Sequence, residues 1–185
     1  VVRELGRLAR EARGDRTLRA VIVTGAGDKA FCAGADLKER QGMDMEEVRD
    51  FLSLYRVSFR DIDELDKPTL AAIDGVAFGG GLELALACDL RVAGRSAQLG
   101  LTETSLGIIP GAGGTQRLVR AIGSARAKEL ILFARRLSAE EALALGIVNV
   151  LADPGETALA RALRYVEPLL TAAPIAIAAA LDAVD

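Results

Sequence analysis

Apolar residues recur at helical spacing at both ends of the chain and in one long internal stretch, with short apolar runs between them. Val1, Leu5 and Leu8 share one face of the opening segment, with arginines and glutamates opposite, which predicts an amphipathic helix. Residues 19–25 (Arg-Ala-Val-Ile-Val-Thr-Gly) form a short β-branched run stopped by glycine, the pattern of a buried strand. The polar stretch 38–66 carries Val48, Phe51, Leu52, Tyr55, Phe59 and Ile62 at helical intervals. Residues 68–75 repeat the strand-then-glycine pattern, and three glycines at 79–81 lead into a helical run that closes by Cys88. Residues 90–93 and 97–100 predict two more short strands. Beyond 111–114 helices predominate. Ser138 and Glu141 have the spacing of a capping box, Gly146 is placed as a stop, and 157–171 and 174–185 are helical, the second opening on proline. Strand–glycine–helix units recur without a fixed period. Short strands alternating with helices predict an α/β fold with a largely parallel sheet.

The 185 residues suit one domain, or one with a small appendage. Apolar residues are 51% and charged residues 26%, a globular balance that excludes disorder. Aromatics are only 4%, so the core must be built from Ala, Leu, Val and Ile. No apolar run approaches the ~18 residues of a membrane span. The net charge of −3 argues against a general nucleic-acid-binding surface. There is no histidine, which removes Ser-His-Asp and Cys-His catalysis and His-ligated metals together. Cys32 and Cys88 are too few for a disulfide framework or a structural zinc, and their apolar settings mark both as small buried hydrophobes. Chemistry therefore falls to carboxylates, backbone amides or a bound cofactor, with no metal expected. The first helix is already under way at residue 1, so the chain is expected to be part of a longer gene product.

Three glycine-rich turns are candidates for ligand binding. Gly25-Ala26-Gly27-Asp28-Lys29-Ala30 fits the dinucleotide fingerprint, but no helix and no second strand ending in an acid follow it. Gly111-Ala112-Gly113-Gly114-Thr115 lacks the lysine of a P-loop. The third turn, Gly79-Gly80-Gly81, lets backbone approach a ligand and opens a helix whose free N–H groups favour negative charge.

Glu83 follows that turn as the only charge between Asp74 and Asp89, and Glu103 is the sole charge in a glycine-punctuated apolar stretch. Each can be read as a structural acid, Glu83 as complement to a helix dipole. As a pair near two glycine-rich turns, they suit general acid–base work on one substrate, with the turn's N–H groups holding a developing oxyanion.

The segment 31–37 (Phe-Cys-Ala-Gly-Ala-Asp-Leu), the 79–83 turn and the stretch 103–116 together resemble the crotonase (enoyl-CoA hydratase/isomerase) superfamily, closest to its AU-binding, methylglutaconyl-CoA hydratase branch. The likeness runs along nearly the whole chain, with Thr102 standing where many family hydratases have proline. It implies a spiral of ββα units over 1–150, its N-terminal hairpin lying before this sequence, and the start of a helical C-terminal region over 151–185. By resemblance, Glu83 and Glu103 are the catalytic glutamates, and the amides of Ala35 and Gly80 form the oxyanion hole. Gly111 positions the attacking water, and Ala33, Ala35, Asp36 and Leu37 line the coenzyme A site. The implied reaction is syn addition of water to a 2-enoyl-CoA thioester, with coenzyme A as part of the substrate and no further cofactor.

The alternatives are a Δ3,Δ2-enoyl-CoA isomerase of the same fold, or an AU-rich RNA-binding protein using the arginines at 3, 7, 10, 13, 16 and 19. Leu101, Ile108 and Ile109 are candidate walls for the acyl chain. A homotrimer or homohexamer is expected, burying apolar helical surface around Ile122, Leu130, Ile131 and Phe133, with no membrane partner. The 19 arginines among 23 basic residues suggest a GC-rich bacterial source and the cytoplasm, with a mitochondrial location left open.

Overall fold

Residues 1–27, 29–36 and 42–184 are described by a computed structural model of the chain. The β-branched run at 21–24 forms β1 (Val21–Thr24), and its partner is the wholly buried β3 (Thr69–Ile73). With β5 (Leu90–Ala93) and β8 (Val150–Leu151) they make a four-stranded, all-parallel sheet in the order β1-β3-β5-β8. A second sheet runs β2 (Ala30–Cys32), β4 (Val76–Phe78), β6 (Gln98–Gly100) and β7 (Leu137–Ser138), parallel except for the β6–β7 pair. The chain alternates between the sheets, so that Ile22, Leu70 and Leu90 stand side by side in one and Ala30, Val76 and Gln98 in the other. Each passage through both sheets is one turn of a spiral, with a helix closing it.

Among the described residues the helices are α1 (Val2–Gly14), α2 (Met45–Asp63), α3 (Gly80–Leu86), α4 (Gly114–Ile122), α5 (Ser124–Leu132), α6 (Ala139–Ala144), α7 (Ala158–Leu170) and α8 (Pro174–Val184). A 3-10 turn spans Glu103–Leu106. Asp44 and Glu47 form a capping box on α2, and Ser138 and Glu141 form the expected one on α6. The dinucleotide reading fails in the way the sequence suggests: the glycines at 25 and 27 join strand β1 to strand β2, not a strand to a helix.

The first helix forms, with Leu5 packed on the core as expected but the buried face rotated away from Val1 and Leu8. Val1 and Leu8 are exposed, whereas Gly6 and Ala9 are buried. A Cβ on Gly6 would stand 2.9 Å from Ser58 Oγ of α2, so small residues set how closely the two helices approach. The same economy runs through the core, where Ala71, Ala72, Ala77, Ala85 and Ala93 are fully buried. Helix α7 covers the far face of the parallel sheet with Ala158, Ala162 and Val166 against Leu70, Ala72 and Val92.

Other details correct the sequence reading. Cys88 is buried, with burial pushing its thiol pKa up to about 12, but Cys32 is only half-buried. Ile122 and Leu130 belong to the core and Ile131 is half-buried, whereas Phe133 is exposed as expected, with Leu132 beside it. In the first helix Arg7 pairs with Glu4 and Glu11, Arg10 pairs with Asp61, and Arg13 donates to the Glu64 carbonyl.

Candidate active site

Helix α3 starts immediately after β4, with Gly79 as its N-cap at φ 53° and ψ −123°, a conformation that a side chain would strain. Gly80, the first helical residue, has no carbonyl partner for its N–H within the helix. The turn lies against the loop that follows β2. A Cβ on Gly80 would be 3.7 Å from the Ala35 nitrogen, and one on Gly34 would be 3.3 Å from the Gly80 nitrogen. Gly81 packs so tightly on the Cys32 carbonyl that any Cβ would overlap it. The amides of Ala35 and Gly80, far apart in sequence, are thereby side by side.

Glu83 lies in the first turn of α3 and points inward, only 3% exposed. Its Oε1 accepts from the N–H groups of Ala112 at 2.7 Å and Gly114 at 2.8 Å. A Cβ on Gly114 would stand 2.8 Å from Glu83 Cγ, so this contact depends on the glycine. Burial pushes the Glu83 carboxyl above the ordinary range, opposed by the backbone N–H groups of Gly114, Ala112 and Gly111 and by the charge of Arg117.

Glu103 opens the 3-10 turn after β6, anchored next door by Thr104 Oγ1, which donates to the Ile131 carbonyl at 2.7 Å. Its Oε2 is buried and has no hydrogen-bond partner among the described residues. Burial raises its pKa to about 7, its own backbone opposes that rise, and the nearby Glu83 adds to it. Buried polar atoms are nearly always paired, so the orphaned oxygen makes Glu103 a candidate functional group.

Both carboxyls face one cleft of about 120 Å³ together with Ala33, Gly34, Ala35, Gly79, Gly80 and Gly111. The opposite wall is apolar: Phe51, Leu52 and Tyr55 from α2, with Leu106, Ile108 and Ile109. Leu101, expected in that wall, is instead core, 1% exposed. Asp36 is exposed at the edge of the loop, and Leu37 lies outside the described residues. A larger cavity of about 420 Å³, lined in part by Arg16, Arg19, Lys67 and Pro174, contains none of the residues expected for catalysis or coenzyme A binding.

Sequence reasoning missed the residues that hold the 111–114 loop. Arg56 Nε donates to the Gly111 carbonyl at 2.7 Å, and Arg117 Nη1 donates to the Ala112 carbonyl at 3.1 Å while pairing with Asp63 at 2.8 Å. An arginine on a helix surface carries no mark of a carbonyl it will reach. Tyr55 and Leu52 were visible only as helical periodicity, which does not separate a core face from a cleft wall. Among the described residues no cluster of three or more His, Cys, Asp or Glu could hold a metal ion.

The arrangement has two buried carboxyls in unlike surroundings. One is held by N–H donors that favour its anion, and the other has a bare oxygen that favours its acid form. Beside them lie two adjacent amides.

The family model described as enoyl-CoA hydratase/isomerase matches residues 1–185. The mitochondrial methylglutaconyl-CoA hydratase of Rattus norvegicus is 49% identical over 176 residues, 94% of this chain and 56% of that protein. The mitochondrial enoyl-CoA hydratase domain-containing protein 2 of Homo sapiens is 49% identical over 187 residues, all of this chain and 64% of that protein. The chain thus spans between about half and two thirds of the length of these relatives. The crystal structure of an enoyl-CoA hydratase from Bacillus anthracis superposes with a TM-score of 0.95 at 49% identity, covering 99% of this chain and 70% of that one.

Proposed function

The chain belongs to the enoyl-CoA hydratase/isomerase family, and from that premise we propose that its cleft catalyses the addition of water across the double bond of a 2-enoyl-CoA thioester. The observation that carries this reading is the convergence of Glu83 and Glu103, buried and unlike in environment, on one cleft beside the amides of Ala35 and Gly80. A 2-enoyl thioester accepts water at Cβ only if the enolate-like charge on its carbonyl oxygen is stabilised. The N–H groups of Ala35 and Gly80 supply that stabilisation, the second from a helix N-terminus; removing one such donor typically costs ~2.7–4 kcal/mol.

Glu83, with donors holding its anion, orients and deprotonates the water. Glu103, whose carboxyl keeps its proton up to about pH 7, delivers a proton to Cα. With both carboxyls lining one cleft, addition is expected to be syn. Gly111 bounds the water's position, and Ala33 and Ala35, with Asp36 beside them, border the entry for the coenzyme A moiety.

Isomerisation of a 3-enoyl-CoA is the second reading. It needs one acid–base group, and the presence of two buried glutamates favours hydration. The relatives' names point to a branched, acidic enoyl-CoA as one substrate to try, and to a mitochondrial or bacterial setting. A homotrimer or homohexamer fits the exposed Leu132 and Phe133. A spectrophotometric panel of 2-enoyl- and 3-enoyl-CoA thioesters on the full-length protein tests the reading. Loss of the 2-enoyl absorbance supports hydration, and double-bond shift alone supports the isomerase.

A further inference from the structure

Gly111 and Ala112 share a peptide group that is held at both ends. Its carbonyl accepts from Arg56 Nε at 2.7 Å, and its N–H donates to Glu83 Oε1 at 2.7 Å. A peptide is planar, so fixing the carbonyl direction fixes that of the N–H. A donor on the carbonyl also polarises the group and strengthens the N–H as a donor in turn, as in any chain of hydrogen bonds.

Arg56 stands on α2 one turn after Leu52, whose Cδ2 would be 2.9 Å from a Cβ on Gly111, so helix and loop meet closely here. It is exposed, and among the described residues its hydrogen bond is to this carbonyl. The next carbonyl, of Ala112, is taken by Arg117, which is tied through Asp63 to the same helix. Two guanidiniums thus hold consecutive peptides of the loop, and the one held by Arg56 is the one whose N–H reaches the Glu83 carboxyl.

Resting on the hydration proposed above, we propose that Arg56 is a positioning residue for Glu83, acting through the Gly111–Ala112 peptide. It holds the Glu83 carboxylate in the orientation from which water is deprotonated and does not touch the reacting atoms. The other charged groups that bear on Glu83 are Glu103 in the same cleft and Arg117, paired with Asp63; all three are unchanged in the variants that test the proposal.

Two substitutions separate the directed bond from mere charge. Glutamine carries an N–H donor at the same distance along its side chain as Arg56 Nε, without the charge, whereas methionine has the length and no donor. In the full-length protein Arg56→Met is expected to lower kcat about tenfold, the scale of one charge-assisted hydrogen bond. It should move the acid limb of the pH–rate profile upward while KM for a short enoyl thioester stays within about twofold. Arg56→Gln should stay within about threefold of wild-type kcat, with its acid limb closer to the wild-type position.

A carbon-13 NMR titration of glutamate-labelled protein, with the Glu83 signal identified through Glu83→Gln, reads the same effect without turnover. The Glu83 midpoint should rise further in Arg56→Met than in Arg56→Gln. Equal behaviour of the two variants, or an Arg56→Met protein with wild-type kcat and midpoint, would overturn the proposal. If wild type turns over no enoyl thioester, the hydration reading fails on its own and the titration alone decides on Arg56. Circular dichroism establishes that each variant is folded, as expected for a substitution at an exposed helix position.

Discussion

Gly79 and Glu103 are in contact across the cleft: a Cβ on Gly79 would stand 3.0 Å from Glu103 Oε1 and 3.4 Å from Cδ. The residue that lets the backbone turn into α3 also makes room for the second carboxyl. Helix entry, amide placement and carboxyl placement therefore depend on one missing side chain.

Gly79→Ala should accordingly damage both stability and chemistry. The positive φ costs of order 1–3 kcal/mol for a non-glycine residue, and the methyl displaces Glu103. A lowered Tm together with loss of most turnover is expected. Full activity in this variant would show that Glu103 is not needed where it lies.

Glu103 also ties stability to pH. In the folded protein its carboxyl titrates at about 7, above the ordinary 4.5. A raised carboxyl favours folding fully below pH 4.5, and that contribution is lost as pH rises to about 7. Between those limits wild type should lose on the order of 2 kcal/mol relative to Glu103→Gln, which has no such proton to release. Denaturant titrations of both proteins at about pH 4.5 and pH 8 measure the difference. A constant gap would contradict the assignment.

Arg91 is 8% exposed and donates to the carbonyls of Cys88 at 2.7 Å, Ala85 at 3.4 Å and Ile147 at 2.5 Å, tying the C-terminal end of α3 to the chain before β8. Arg91→Met removes the side-chain donor from the Cys88 and Ile147 carbonyls, while the Ala85 carbonyl keeps the Cys88 N–H. The expected cost is about 2–4 kcal/mol, a fall in Tm of roughly 4–16 °C for a chain of this size. Thermal unfolding followed by circular dichroism checks it.

Much of this was legible in the residues, and the rest has physical reasons for being hidden. The parallel α/β character followed from β1, β3 and β5, whose apolar runs are long enough to stand out from their glycines. Strands β4, β7 and β8 span only two or three residues, too few for any period to show. The division of alternate strands between two sheets depends on pairings across tens of residues that no local pattern encodes. Glu83 and Glu103 stood out because a lone charge in an apolar run demands a reason. The partners of Glu83 could not be read, since Ala112 and Gly114 act through backbone N–H groups, which every residue but proline possesses. Leu101 shows the converse error: an apolar residue two places before a catalytic candidate is as easily core as cleft wall.

The two glutamates should behave as one unit. The double variant Glu83→Gln, Glu103→Gln is expected to lose far less than the product of the single losses, because either substitution already breaks the proton path. Multiplicative losses in steady-state kinetics would mean that the two groups act independently.

Hydration of a short 2-enoyl-CoA by full-length wild type and by Glu83→Gln is the most direct measurement of the central claim. The substitution keeps volume and hydrogen-bonding capacity but removes proton transfer, so a fall in kcat of roughly 10²–10⁴-fold is expected, with the fold intact by circular dichroism. Undiminished hydration by a folded Glu83→Gln protein would contradict the account at its centre.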